Sequence, residues 1–188
     1  MNIDWTTTFA AGRSYRDFLE QYGKPEQRER WQQVHDRIVL TAAQHELLGS
    51  FSRTMKVLCI AGAWCGDCVQ QCPIFDHFAA VSSKIELRFV DRDAQSELSG
   101  ALKICGGARV PTVVFLSEDD MFCGLYGDRT LAKYRSVVAQ AIGASCPTGI
   151  ALPEAGLLTA VVQDWLDEFE RIQWMLRTSG RLRQLHGD

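Results

Sequence analysis

Cys65 and Cys68 are the residues best placed by type and spacing to do chemistry. They enclose Gly66 and Asp67 and follow Trp64, giving Trp64-Cys65-Gly66-Asp67-Cys68. Two cysteines at this spacing can bring their sulfurs to bonding distance around one helical turn. An apolar run, Lys56-Val57-Leu58-Cys59-Ile60-Ala61, reads as a buried strand just before them. The pattern then predicts a helix over 65–81, interrupted by Pro73. Its N-terminus places free N–H groups and a partial positive charge beside Cys65. That favours the thiolate, the nucleophile of thiol–disulfide exchange. Cys68, one turn further in, is placed to resolve the mixed disulfide that Cys65 forms. Gly66 lets the backbone turn tightly there.

The elements that must hold this pair can be read on either side. Residues 85–90 alternate with period two, as a half-buried strand does. A short helix over 97–104 should end at Gly106-Gly107, and 112–116 read as another buried strand. Asp119-Asp120 mark a turn, 121–126 a hairpin partner and 131–142 a closing helix. Strand, helix, strand, helix, two strands and helix imply an α/β fold with a mixed sheet.

Residues 1–51 read as a helical extension. Trp31, Val34, Ile38 and Leu40 give an imperfect apolar face, and Thr41-Ala42-Ala43-Gln44 has the form of a capping box opening a helix over 42–48. Gly23-Lys24-Pro25 marks a break before a helix starting near Pro25. Residues 146–188 read as a linker, over 146–152, and a long amphipathic helix from Pro153 that packs on the domain. Its stripe is Leu158, Val161, Val162, Trp165, Phe169, Ile172 and Met175.

Composition bounds the function. The chain is 46% hydrophobic and 23% charged with a net charge of −3, as in an ordinary globular protein and unlike a generally basic nucleic-acid binder. No apolar run is long enough to span a membrane. The first residues carry no basic segment followed by an apolar stretch, so a cytoplasmic protein is expected. Seven cysteines, an odd number, then point to redox or metal chemistry rather than a disulfide framework.

The stretch from Val57 to Ile74, centred on Trp64-Cys65-Gly66-Asp67-Cys68, resembles the thioredoxin family, and so does Arg109-Val110-Pro111-Thr112-Val113-Val114-Phe115. The resemblance covers residues 52–145. It implies a thioredoxin fold with added N- and C-terminal helices, and a protein-disulfide reductase in which Cys65 attacks and Cys68 resolves. It also implies a cis Val110-Pro111 bond, with Trp64, Val110, Pro111 and Gly127 making a flat apolar docking patch. Thr112 supports the site, Tyr126 and Gly127 line the substrate groove, and Pro73 falls at the bend of the active-site helix. No cofactor is then expected beyond a redox-active disulfide. The partners would be a disulfide-containing protein or small-thiol substrate and a separate reductase or thiol as electron donor, with neither nucleic acid nor membrane.

Three residues depart from that family's pattern. Asp67 stands where most thioredoxins have proline; a carboxylate there should oppose the Cys65 thiolate, holding its pKa near or above about 7 and making a reducing pair. Cys59 stands where thioredoxins usually have a buried aspartate that assists proton transfer, so that role passes to Asp67 or a water. Cys72 lies one turn beyond Cys68 on a similar face. It is either a small buried apolar residue or a third redox cysteine. Cys105, Cys123 and Cys146 read as buried apolar residues.

Two other classes remain open on the residues alone. Cys65, Cys68 and Cys72 could hold zinc or an iron–sulfur cluster, with His77 as a fourth ligand. The fold could also serve an adaptor or chaperone without turnover, its terminal helices covering the sheet, binding a partner or forming a homodimer. His35, His45, His77 and His186 show no metal-like spacing, Asp91 and Asp93 resemble an exposed turn, and Arg181 and Arg183 read as solvated helix-end cations.

Overall fold

A computed structural model describes residues 3–142 and 156–188. Cys146, the expected linker and Pro153 lie outside the described residues. Among those described, the elements run α1 (Trp5–Ala10), α2 (Tyr15–Tyr22), α3 (Pro25–His35), α4 (Ala42–Gly49), β1 (Met55–Ala61), α5 (Gly66–Val81) and β2 (Ile85–Asp91). There follow α6 (Ser96–Ala101), β3 (Thr112–Ser117), β4 (Phe122–Gly127), α7 (Leu131–Ile142), α8 (Leu157–Thr178) and α9 (Gly180–His186). None of these helices is long and apolar enough to cross a membrane.

The sheet order is β2-β1-β3-β4. β1 runs parallel to β2 and antiparallel to β3, and β3 runs antiparallel to β4. This is the mixed sheet the apolar patterning implies, with β1 inside it. The register pairs Cys59 with Phe89 and Val57 with Phe115, so these four side chains share one face. That face carries most of the helical layer. Cys59 meets Cys72 of α5, Phe89 meets Phe18 of α2 at 5.5 Å between ring centroids, and Phe115 meets Phe169 of α8 at 5.2 Å. On the opposite face Leu58, Ile60, Val114 and Leu116 are also buried.

The N-terminal helices form where local chemistry stops and starts them. Pro25 opens α3 with its ring in the first turn, where a missing N–H costs nothing. At α4, the Thr41 amide donates to the Gln44 side chain at 2.9 Å and the Gln44 amide to Thr41 Oγ1 at 3.2 Å, closing the expected capping box. α3 stops at His35, so Ile38 and Leu40 pack from the connection rather than from a helical face.

Other differences have local causes. α5 runs unbroken through Pro73, and Cys65 is its N-cap rather than its first turn. The strand expected to be half-buried is fully buried from Phe89 to Asp91. Arg13 pairs with Phe89 through both backbone groups, at 2.8 and 2.7 Å, and so covers that edge. α6 ends at Ala101, and the chain then passes through Cys105 and Gly106, both with left-handed backbone. Asp91 is buried, not exposed, because its carboxylate accepts the amides of Asp93 and Ala94 at 3.0 and 2.9 Å.

The α8 stripe packs as an amphipathic helix should. Val161, Val162, Trp165, Phe169 and Ile172 are buried together with Leu166 and Leu176, whereas Met175 turns toward solvent. Phe169 sits among Phe75, Phe78 and Phe115. A short α9 follows, capped by Ser179, and Arg181 pairs with Asp119 rather than standing free.

Candidate active site

Cys65 lies at the junction of β1 and α5. Its amide donates to the Gly62 carbonyl at 3.0 Å, closing the turn that ends the strand, and its own carbonyl accepts from Val69 in the first turn of α5. The segment between is held from outside. Trp31 of α3 donates its indole N–H to the Ala63 carbonyl at 2.9 Å, in a buried contact. Trp64 folds back over Gly62, where a Cβ would stand 2.7 Å from the indole, and the Arg92 guanidinium covers the ring at 4.4 Å.

Cys65 is partly exposed and Cys68 is fully buried; both are free thiols. The Cys65 Sγ lies 3.5 Å from the Val110 carbonyl. The two thiols bear on each other's ionisation. Donation to Cys68, then burial, raise the Cys65 pKa above the ordinary thiol value, although the amides of Cys68 and Asp67 pull it down. Burial opposes ionisation of Cys68, but hydrogen bonds from Cys65, Cys72 and Gly62 outweigh it and the net shift is downward. These shifts belong to the coupled pair, which gives up one proton below the ordinary thiol value and the second above it.

Asp67 acts differently from the sequence expectation. Its carboxylate pairs with the Arg129 guanidinium at 2.7 and 2.9 Å, and its charge bears on Cys68. The carboxylate expected to pass protons to the resolving Cys68 is thus engaged by a cation.

The loop bearing Val110 and Pro111 closes the other side. Their peptide bond is cis. Thr112 Oγ1 donates to the Arg109 carbonyl at 2.7 Å, tying the loop to the start of β3. Gly127, at φ +144°, passes so close that a Cβ would stand 2.3 Å from the Pro111 carbonyl oxygen. Val110 and Pro111 are buried, so the expected flat apolar patch is not presented; of its members Trp64 is about half exposed. Tyr126 also departs from expectation. It packs edge-on against Trp165 at 5.0 Å, because its register with Val113 turns it toward α8 and away from a groove.

Several residues that position the site carry no motif. Buried Gln71 accepts the Trp165 indole N–H at 3.0 Å and donates to the Asp128 carbonyl at 3.0 Å. The Asp128 carboxylate accepts from Arg109 at 3.2 Å and from the Tyr134 hydroxyl. Burial raises the Asp128 pKa, but these hydrogen bonds take it below the usual carboxylate value. The only advance signal was a glutamine in an apolar stretch of α5.

The thiols are not set up to ligate. Among the described residues no three His, Cys, Asp or Glu side chains stand where they could hold a metal ion. The candidate fourth ligand, His77, bonds the His35 carbonyl through Nε2 at 3.0 Å, and the two imidazoles, far apart in sequence, meet tilted with centroids 4.1 Å apart. Cys105 is exposed rather than buried.

A mixed four-stranded sheet, with paired cysteines where its internal strand meets a helix, defines a thioredoxin-like domain. The chain belongs to the thioredoxin family: that family's model, described as thioredoxin, matches residues 12–140. No curated protein matches the chain. Similar solved structures include a protein of unknown function from Pseudomonas aeruginosa, 18% identical with a TM-score of 0.71 over 91% of this chain and 97% of that one. An HIV epitope-scaffold is 19% identical with a TM-score of 0.68, over 90% and 97% of the two chains. Both share the fold.

Proposed function

We propose that the protein is a thiol–disulfide oxidoreductase that works as a disulfide reductase, with Cys65 attacking and Cys68 resolving. One observation carries this reading: a partly exposed thiol stands at the N-cap of α5 with a buried thiol one turn behind it. The Cys65 thiolate attacks one sulfur of a substrate disulfide, and the other sulfur leaves with the bonding pair and takes up a proton. Cys68 then attacks Cys65 Sγ, releasing the second substrate thiol and forming the Cys65–Cys68 disulfide. A separate reductase or a small thiol restores the dithiol.

The substrate is a protein disulfide or a small disulfide. The redox groups are the two sulfurs, so no bound cofactor, nucleic acid or membrane enters the scheme, and a reducing compartment such as the cytoplasm suits it. The half-exposed Trp64, next to Cys65 in the chain, is the docking edge.

The test is the equilibrium of the pair against defined thiol/disulfide buffers, read by thiol trapping. A Cys65–Cys68 transition near ~−270 mV is expected for a reductase, and one near ~−120 mV would overturn that direction. Cys68→Ala should trap a mixed disulfide on Cys65, and Cys65→Ala should reduce nothing. Reduction by Cys65→Ala at the native rate would sink the assignment.

A further inference from the structure

The thiols continue behind Cys68. Cys72 follows Cys68 one turn deeper in α5, and its Sγ lies 3.7 Å from the Sγ of Cys59 on β1. Cys59 and Cys72 are wholly buried. Positions 65, 68 and 72 fall on one stripe of a helix, so their sulfurs form a row that runs inward from the surface. Cys59, from the neighbouring strand, closes its inner end. A core needs volume at these places, but it has no need of four sulfurs in series.

We infer that Cys59 and Cys72 form a second, buried redox pair that exchanges electrons with Cys65 and Cys68. This rests on the reading of Cys65 and Cys68 as the exchange pair. The relay starts from the Cys65–Cys68 disulfide left by reduction of one substrate. Cys72 attacks Cys68 Sγ; a Cys68–Cys72 bond forms and the Cys65–Cys68 bond breaks. Its electron pair leaves on Cys65, which takes the proton Cys72 gave up. Cys59 then attacks Cys72 Sγ; a Cys59–Cys72 bond forms and the Cys68–Cys72 bond breaks. That electron pair leaves on Cys68 with the proton from Cys59. The sum is redox-neutral within the chain and uses no outside reagent.

The outcome is a disulfide stored in the core and a fresh dithiol at the surface. A fully reduced chain then carries four electrons and reduces two substrate disulfides instead of one. Reloading runs the same steps in reverse. Burial and neighbouring thiols hold the Cys72 proton on tightly. Intramolecularity offsets this, because the attacking and attacked sulfurs belong to one packed core. Bond formation needs the Cys59 and Cys72 sulfurs to close from 3.7 Å to about 2.05 Å. Neither sulfur meets solvent, so oxidation enters at Cys65 and passes inward through Cys68.

The experiment equilibrates the reduced full-length chain in stepped ratios of glutathione and glutathione disulfide. Samples are quenched in acid, denatured, alkylated and read by intact mass and peptide mapping. Four thiols should disappear in two two-electron steps, with a peptide linking Cys59 to Cys72. Cys72→Ala should lose only two thiols to internal disulfides. In Cys65→Ala the Cys59–Cys72 link should form at least tenfold more slowly, since its entry point is gone.

Recovery of Cys59 and Cys72 as thiols at every ratio, while Cys65 and Cys68 oxidise, would overturn the inference and leave the reductase reading standing. Oxidation of neither pair would overturn both. A Cys59–Cys72 link that forms at the native rate in Cys65→Ala would overturn the relay. The wild-type measurement decides the question even where a variant folds poorly.

Discussion

Trp31 and Ala63 are joined by a buried hydrogen bond of 2.9 Å, and through it an N-terminal helix holds the turn that presents Cys65. The indole belongs to α3 and the carbonyl to the segment between β1 and α5. Trp31→Phe keeps a ring but leaves that carbonyl unpaired. Stability should fall by about 1–3 kcal/mol in denaturant unfolding, the usual cost of an orphaned buried acceptor. Disulfide reduction should slow by up to about tenfold, because the turn loses its fixed position.

Gln71 ties α5 to two distant places through one side chain. Gln71→Leu would strand both the Trp165 indole N–H and the Asp128 carbonyl, now each bonded at 3.0 Å. The expected loss is about 2–5 kcal/mol, measured by urea unfolding. A loss within about 0.5 kcal/mol, as for an ordinary surface change, would contradict the network.

The thiol pair should titrate in two stages. Cys68 is shifted down and Cys65 up, and only a thiolate is alkylated. The alkylation rate of Cys65 should therefore rise with pH first below the ordinary value of about 8.5 and again above it. Cys68→Ala should leave a single step. One step in the wild type would contradict the coupling of the two thiols.

The Asp67–Arg129 pair should tune that first stage. Arg129→Met leaves the carboxylate uncompensated beside Cys68, so the first proton is held more tightly. Alkylation at pH 7 should slow by about three- to tenfold. Asp67→Asn should speed it, and the double variant should fall near the wild type. Equal rates in all four proteins would show that the pair does not reach the thiols.

Gly127 should tolerate no side chain. Its φ of +144° and the 2.3 Å approach of a Cβ to the Pro111 carbonyl oxygen both exclude alanine without a backbone shift. Gly127→Ala should cost at least about 2 kcal/mol by thermal unfolding and weaken substrate docking, seen as a higher KM. An unchanged melting temperature would contradict the close approach.

Much of this molecule was legible along the chain. The four strands could be read from apolar runs and alternation because each is a local pattern set by backbone period. The capping box at Thr41 and Gln44 and the start at Pro25 are likewise made by residues a few positions apart. Helix ends were less legible: α3 and α6 stop before their apolar patterns do, because tertiary packing claims the remaining apolar residues from loops. Asp91 looked like a turn residue and is a buried acceptor of two amides, a role its own sequence neighbourhood does not encode.

The pair at Cys65 and Cys68 is a local fact: strand, turn and helix N-terminus follow one another in the chain, so the sequence by itself determined where exchange chemistry could sit and in what fold. The tertiary structure alone decided what surrounds it. Trp31, Arg129, Asp128 and Trp165 reach the site from elements far apart in the chain, and Asp67 turns to Arg129 rather than acting on Cys65. Val110 and Tyr126 turn into packed layers instead of a groove. The contact of Cys59 with Cys72 exists because β1 lies under α5, and no spacing along the chain can encode which strand face meets which helix stripe.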